Sequence, residues 1–147
     1  MRQSPPIESR PAALGWRLLA MVYDAFPVLA LWLAISAIVL ALHGNQPLAP
    51  LSPGQWALFL LCWLTSGAYF VRSWLRGGQT LGMRPWRLQV VAPDGVPPSQ
   101  RALWMRYALA TLSFAALGLG FVWSLFDPTR RTWHDLGSRT VLLRRPK

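Results

Sequence analysis

The chain has very little cysteine and little charge for its size. Cys62 is the only cysteine among 147 residues, so an intrachain disulfide or a cysteine metal site cannot form. Charged residues make up 14% of the chain and hydrophobic residues 53%, whereas an ordinary soluble domain carries about 25% charged residues. A protein surface with so little charge could not keep the chain dispersed in water. The composition therefore indicates a membrane protein.

Recognisable catalytic patterns are missing as well. The sequence contains no paired-carboxylate constellation, no nucleotide-binding loop and no nucleophile motif. Each of these sites needs its side chains at a defined spacing. We therefore predict that the protein is not an enzyme, and we predict no catalytic residue, no metal site and no cofactor.

Acidic residues are scarce. Fifteen Lys and Arg stand against five Asp and Glu, which gives a net charge of +10. An excess of this size could attract nucleic acid or anionic lipid. No nucleic-acid-binding module is recognisable, and the basic residues flank long apolar runs, where they would meet lipid headgroups. The nine Trp residues also suit that boundary. The expected partners are the lipid bilayer and its anionic headgroups, with no nucleic acid.

Two long apolar runs predict membrane-spanning helices. Residues 25–42 carry no charge, and their helical pattern extends back toward Pro11. Residues 56–71 form the second run, which Trp74 and Leu75 complete if Arg72 snorkels. About 20 residues are needed to cross about 30 Å of hydrocarbon. Both runs therefore reach spanning length, and the segment from Arg76 to Arg106 is expected to be a polar loop.

A third run, residues 107–126, contains Gly118 and Gly120. We expect it to be a glycine-interrupted helical element that either crosses the membrane or enters and returns. Two short segments, 86–91 and 140–143, have the composition of strands and are expected to pair with each other. The predicted fold is an all-α membrane protein with two transmembrane helices, this third re-entrant or spanning element, and a small cytoplasmic β pairing.

The distribution of arginine predicts the orientation. The segment between the first two helices has no Lys or Arg, whereas the segment after the second helix has six: Arg72, Arg76, Arg84, Arg87, Arg101 and Arg106. The positive-inside rule then places the N-terminus in the cytoplasm. The C-terminal tail is also rich in arginine and would be exported if the third run crossed. A re-entrant third element would keep the tail inside and would leave the two strand-like segments on one side of the membrane, where they can pair. We favour it for these two reasons.

Arg17 and Asp24 lie on the first predicted helix, seven positions apart. On an α-helix this spacing leaves them about 20° from alignment and about 10 Å apart. A carboxylate at lipid depth must be paired, protonated or facing water, so it is a functional hypothesis by default. Pro27 would free the carbonyl of Tyr23 for a cation or proton. In the alternative, Asp24 pairs with an arginine to hold helices together. Both interpretations predict that Asp24 faces the interior.

The tail contains the sequence Trp133-His134-Asp135, shortly after Arg130 and Arg131. His134 would titrate near neutral pH and could relay protons, or it could be a hydrogen-bonded structural residue. Asp135 is the expected partner of Arg17. In the loop segment 78–82, Thr80 is a candidate helix cap, and the backbone amides there are weaker candidates for binding an anion.

Three segments resemble the RDD family of membrane proteins, which is named for one arginine and two aspartates. They are GWRLLAMVYD, GQTLGMRPWRLQVVAPDG and FDPTRRTWHDLGSRTVLLR. By motif position Arg17 is the arginine, Asp24 the first aspartate and Asp135 the second, with Asp127 a weaker claimant. The resemblance implies a single domain over residues 11–147, after a flexible tail of residues 1–10.

The family resemblance implies transport of ligands, sodium/proton exchange, or an accessory role beside membrane proteases. We expect a small transporter or ion-exchange component that uses the charge cluster of Arg17, Asp24 and Asp135. Tyr23, Pro27, Arg130, Arg131 and His134 are expected around it. So few helices would have to oligomerise to enclose a pathway. The alternative is a non-transporting accessory protein that binds anionic lipid or a partner membrane protein. The expected location is the cytoplasmic (inner) membrane, multi-pass.

Overall fold

The computed structural model describes residues 10–146. Helix α1 runs over Leu14–Leu42 and helix α2 over Pro53–Leu75, and both are long and apolar enough to cross a membrane. The side chain of Ser52 caps α2 by accepting a hydrogen bond from the Gln55 amide, with Pro53 at the first helical position. Both predicted long helices are confirmed. Pro27 lies within α1, which stays helical on both sides of it.

The third apolar run forms a bent pair of helices. Helix α3 covers Gln100–Ala115 and helix α4 covers Leu119–Val122, followed by the 3-10 turn Trp123–Leu125. The helix axis bends by 108° between the two parts. Leu117 and Gly118 separate them with left-handed φ values of 55° and 79°, and this conformation cannot continue an α-helix.

The start of α3 corrects one prediction. We expected a polar loop up to Arg106, but the helix begins at Gln100, after Ser99, whose hydroxyl accepts a hydrogen bond from the Ala102 amide. Arg106 therefore lies inside α3 and is buried. Arginine is a good helix former, so its charge ended the apolar run in the sequence without ending the helix.

A three-stranded antiparallel sheet joins the two ends of the chain. Strands β1 (Arg10–Pro11), β2 (Leu88–Val91) and β3 (Val141–Arg144) are ordered β1-β3-β2. Val91 pairs with Val141 and Leu88 with Arg144, which confirms the predicted pairing of the two segments. Strand β1 was not predicted. The predicted flexible tail lies outside the described residues except for Arg10, which begins β1.

Helix α5 (Trp133–Ser138) packs against α3 and leads into β3. It is closed by a capping box, in which the Thr132 hydroxyl accepts from the Asp135 amide and the Asp135 carboxylate accepts from the Thr132 amide. A Cβ at Gly137 would lie 2.2 Å from Cδ1 of Leu109. Glycine at this position lets α5 approach α3 closely.

Polar side chains connect the long helices. The indole N–H of Trp32 on α1 donates to Oγ of Ser66 on α2 at 2.7 Å. The indole of Trp63 donates to Thr111 on α3 at 3.1 Å, and the hydroxyl of Tyr107 donates to the carbonyl of Trp63 at 2.9 Å. Helix α2 therefore lies between α1 and α3. A buried apolar core sits where the helices meet the sheet, and it includes Leu88, Val90, Leu103 and Leu142.

Candidate functional site

Three charged side chains meet where α1, α3 and α5 converge. Nη1 of Arg17 lies 2.7 Å from Oδ2 of Asp135, and Nη1 of Arg106 lies 2.5 Å from Oδ1 of the same carboxylate. The side chains of the two arginines are 3% and 4% exposed, and that of Asp135 is fully buried. We call this arrangement the Arg17–Asp135–Arg106 cluster. The ion pair expected between Arg17 and Asp135 is present, with Arg106 as an additional member.

Further hydrogen bonds hold the two arginines in place. Arg17 donates through Nε to the carbonyl of Ala12 and through Nη2 to the carbonyl of Arg130, each at 3.1 Å. Arg106 donates to Oγ1 of Thr140 at 2.7 Å. Buried charges are tolerated when they are paired and hydrogen-bonded. The cluster therefore ties the start of α1 to the C-terminal part of the chain.

The electrostatics of the cluster keep Asp135 ionised. Burial by itself would raise the pKa of this carboxyl group, but the positive charges of Arg106 and Arg17 outweigh it, and the pKa lies well below its ordinary value. Two positive charges against one negative charge leave the Arg17–Asp135–Arg106 cluster with a net charge of +1.

Asp24 lies in a separate group of residues. Its Oδ1 accepts a hydrogen bond from the Tyr69 hydroxyl and another from the Gly82 amide, both at 2.9 Å, and its Oδ2 accepts one from the Thr80 hydroxyl. Asp24 is 4% exposed. It faces the interior, as predicted. The alternative in which it pairs with an arginine is wrong for the described residues, since none of their ion pairs includes it.

The segment 78–82 leads into a turn, and only the predicted helix cap at Thr80 is wrong, because no helix follows it. The Thr80 hydroxyl accepts a hydrogen bond from the Met83 amide within the turn and donates one to Asp24. A Cβ at Gly82 would lie 2.2 Å from the carbonyl oxygen of Ala20 and 2.8 Å from Cγ of Asp24. Only glycine fits there without a shift of the backbone. The segment does offer a backbone amide to an anion, and that anion is the carboxylate of Asp24.

A cavity of about 370 Å³ lies between α1, α2 and α3. Arg17, Asp24, Arg106 and His134 line it, so both charge groups border the same space. The other lining side chains are mainly apolar or aromatic and include Val28, Trp32, Phe70, Trp74, Phe114 and Phe121. This volume and mixture are typical of a small-molecule site.

His134 is buried in α5. Its ring centroid lies 4.8 Å from that of Phe121, and Nδ1 has no hydrogen-bond partner among the described residues. Burial, together with the charge of Arg106, lowers the pKa of this imidazole to about 3. We expected His134 to titrate near neutral pH. In the folded protein the imidazole is instead neutral throughout that range.

The other residues predicted around the site are more dispersed. Tyr23 is exposed and contacts Trp86 edge-on. Nε of Arg131 lies 3.6 Å from Oδ2 of Asp127, so this side chain lies outside the Arg17–Asp135–Arg106 cluster. Arg130 takes part through its backbone carbonyl, which accepts from Arg17. Pro27 lies within α1 and is partly exposed, beside the exposed side chain of Phe26.

Sequence reasoning missed several members of the site. Arg106 adjoins the third apolar run directly, and that position was a usable signal for burial. Tyr69, Thr80 and Gly82 come to Asp24 from a different helix and a loop, and no local pattern indicated this contact.

Residues 11–139 match the sequence model of a known family, which is described as the RDD family. The chain belongs to the RDD family. Together with the two long apolar helices, this makes it a membrane protein. In this RDD protein Arg17 pairs with Asp135 and not with Asp24. No curated protein and no solved structure matches the chain.

Proposed function

We propose that this RDD protein is a component of a transport or ion-exchange system, with the cavity between α1, α2 and α3 as its ligand site. The observation that carries the proposal is that Asp24 and Arg17 line one cavity of about 370 Å³. A ligand in that space would meet an acidic group and a basic group of the same helix. No chemical change of the ligand is part of the proposal, so the protein would not be an enzyme.

Asp24 is the residue proposed to bind a cation or a proton. All its hydrogen bonds come from neutral donors, namely a phenol, a hydroxyl and an amide, so no guanidinium competes for its charge. An ionisable group at membrane depth that faces a cavity is typical of ion and proton pathways. Arg17, which is held by Asp135, would contribute a fixed positive charge to the same cavity.

The proposed setting is the cytoplasmic membrane, with the N-terminus inside and several copies assembled around a pathway. We also propose that the bent pair α3–α4 enters the membrane and returns. The antiparallel pairing of β2 with β3 supports this, because β2 precedes the bent pair and β3 follows it. Strands can pair only on one side of the membrane. The sheet would then be cytoplasmic.

Replacing Asp24 tests the transport proposal. The Asp24→Asn protein would be reconstituted into vesicles that contain a pH-sensitive dye, and sodium or potassium gradients would be imposed. We expect the wild type to change the internal pH and the variant to do so at least about tenfold more slowly, because it lacks the ionisable group. Asparagine keeps an oxygen for Tyr69 and Gly82, and its amide can donate to Thr80, so the fold should persist.

Asp94→Asn is the matched control. Asp94 lies exposed in the loop after β2, and the substitution makes the same chemical change and removes the same charge. Its flux should equal that of the wild type. Equal flux from folded Asp24→Asn protein, or no flux from the wild type with either cation, would contradict the proposal.

A second function is favoured by the way in which the two buried carboxylates are held within the fold. Each oxygen of Asp24 and of Asp135 already has a donor within the chain, as expected if the charges only fix the fold. The protein would then be a non-transporting accessory of a partner membrane protein. This alternative predicts no ion movement. It also predicts a partner that co-purifies with the wild type but is lost when the exposed Arg84 and Arg101 are replaced by Gln.

A further inference from the structure

A second pocket lies at the start of α1, with a volume of about 590 Å³. It shares no lining residue with the cavity between the helices. Five arginines line it, and none of its described lining residues is acidic: Arg10, Arg87, Arg130, Arg144 and Arg145. We call it the arginine pocket. Trp16 and Trp86 form its aromatic wall, with their ring centroids 5.3 Å apart.

The sheet brings these arginines together. Arg144 at the end of β3 is opposite Arg10 of β1 on one side and Leu88 of β2 on the other. Arg87 immediately precedes β2, and its carbonyl accepts a hydrogen bond from the Arg145 amide at 3.0 Å. The sheet therefore brings residues from distant parts of the sequence together at one end of its three strands.

Such a gathering of guanidinium groups creates a strong positive potential. Each guanidinium carries a positive charge and like charges repel, so an anion lying among Arg87, Arg144 and Arg145 would be stabilised. Arg144 lies over the ring of Trp16, with its guanidinium carbon 3.9 Å from the centroid, which offsets part of the repulsion. The planar guanidinium binds phosphate oxygens in pairs and is the preferred protein group for them.

The aromatic wall adds a feature that fits a ligand at the membrane surface. The indole N–H of Trp86 is buried and has no acceptor among the described residues, and a buried donor without a partner costs free energy. Indole rings also concentrate at the level of lipid headgroups. The arginine pocket lies beside the first turns of α1, a helix long enough to span the membrane, which places it at that level.

We propose that the arginine pocket binds the phosphate of an anionic phospholipid at the membrane surface where α1 begins. The headgroup lies between the guanidinium groups, and the acyl chains extend along the exposed apolar side of α1. This proposal does not depend on transport, because it uses a different pocket and different residues.

The experiment measures lipid affinity for the full-length protein in a neutral detergent. Its melting temperature would be followed during titration with dioctanoylphosphatidylglycerol, dioctanoylphosphatidylcholine or inorganic phosphate. We expect the phosphatidylglycerol to stabilise the wild type at a concentration at least about tenfold lower than the zwitterionic lipid. The double variant Arg87→Gln/Arg145→Gln should bind it about 30-fold more weakly, at the typical contribution of an arginine near an anionic surface.

The control is Arg101→Gln/Arg139→Gln, which removes the same charge from exposed positions outside the arginine pocket. Each pair contains one arginine with a left-handed backbone, Arg87 at φ 56° and Arg139 at φ 51°, so the conformational cost of the substitution is matched. The control should keep its affinity within about twofold, because a distant surface charge is screened by salt.

Equal weakening in the two double variants would attribute binding to overall charge and overturn the proposal. So would unchanged affinity in Arg87→Gln/Arg145→Gln, or equal affinity of the wild type for both lipids. If inorganic phosphate binds as tightly as phosphatidylglycerol, the pocket serves a soluble phosphate and the lipid assignment is wrong.

If the glutamine variant does not fold, Arg87→Lys/Arg145→Lys decides, since lysine keeps the charge but cannot make the bidentate contact of a guanidinium with a phosphate. It should bind several-fold more weakly, and unchanged affinity would overturn the proposal.

Discussion

Asp135 performs three tasks with one carboxylate. It neutralises Arg17 from the first helix, it neutralises Arg106 from the third, and it completes the capping box of its own short helix. Removing one partner from a buried ion pair typically costs about 3–5 kcal/mol, because the other charge is left without compensation. Asp135 is therefore a structural centre of this chain.

His134 gives the protein a stability that depends on pH. The unfolded imidazole takes up a proton below pH about 6.5, whereas the folded one does so only near pH 3, because burial disfavours its charge. The unfolded chain therefore binds more protons between these values, and stability falls as the pH falls through this window. We expect the free energy of unfolding in detergent to decline from pH 6.5 toward pH 4, by up to about 1.4 kcal/mol per pH unit from this group, which a falling melting temperature would report.

The variant His134→Phe should show a flatter profile over the same range, since it keeps the ring against Phe121 and cannot be protonated. His43, the other histidine, lies exposed at the end of α1. The control His43→Phe should keep the wild-type slope. Identical slopes for wild type and His134→Phe would show that the imidazole is accessible to protons in the folded state.

At the scale of elements, the loop between α2 and β2 is docked onto the two long helices. Thr80 and Gly82 donate to Asp24 of α1, and Tyr69 of α2 donates to the same carboxylate. The amide of Val90 donates to the carbonyl of Gly78, which joins the loop to β2. Asp24 thus fixes the spacing between two helices and a loop, even in the absence of a ligand.

Gly82→Ala should disturb this docking. The new methyl group would collide with the carbonyl oxygen of Ala20 and with Asp24, so we expect a loss of about 1–3 kcal/mol, typical of overpacking. Gly77→Ala is the control, because a Cβ there meets nothing within 4 Å and its φ is not in the left-handed region. Thermal unfolding of the two variants in detergent measures the difference. Equal melting temperatures would mean that the loop is not held close to α1.

The sequence was informative where one element dominates a long stretch. Helices α1 and α2 were predictable because charge-free runs of that length have few other uses. Strand β1 and helix α5 were not, because a two-residue strand and a six-residue helix carry almost no periodic signal. The pairing of Arg17 with Asp135 followed from the need to neutralise a buried charge. The hydrogen bonds to Asp24 depend on how a loop folds back, and local sequence does not encode that.

Single cysteines test the membrane topology of the protein. In a protein without Cys62, single cysteines would replace Gln46 between α1 and α2, Val96 after β2, and Pro146 after β3. A membrane-impermeant maleimide would be applied to intact cells. We expect only the cysteine at position 46 to react, because a returning α3–α4 pair keeps positions 96 and 146 inside.

Cell lysis should make all three positions reactive, which controls for burial of the thiol. Labelling of positions 46 and 146 together in intact cells, with position 96 protected, would show that the third element crosses fully. The pairing of β2 with β3 could then not survive in the membrane.

The span of the Arg17–Asp135–Arg106 cluster along the chain has a consequence for biosynthesis. Arg17 on α1 is synthesised before Asp135 on α5. In the interval Arg17 lacks the counterion that it has in the folded protein, and inserting an uncompensated charge into lipid is costly. A chain that stops short of Asp135 never acquires that counterion, so the stability of α1 depends on the synthesis of α5.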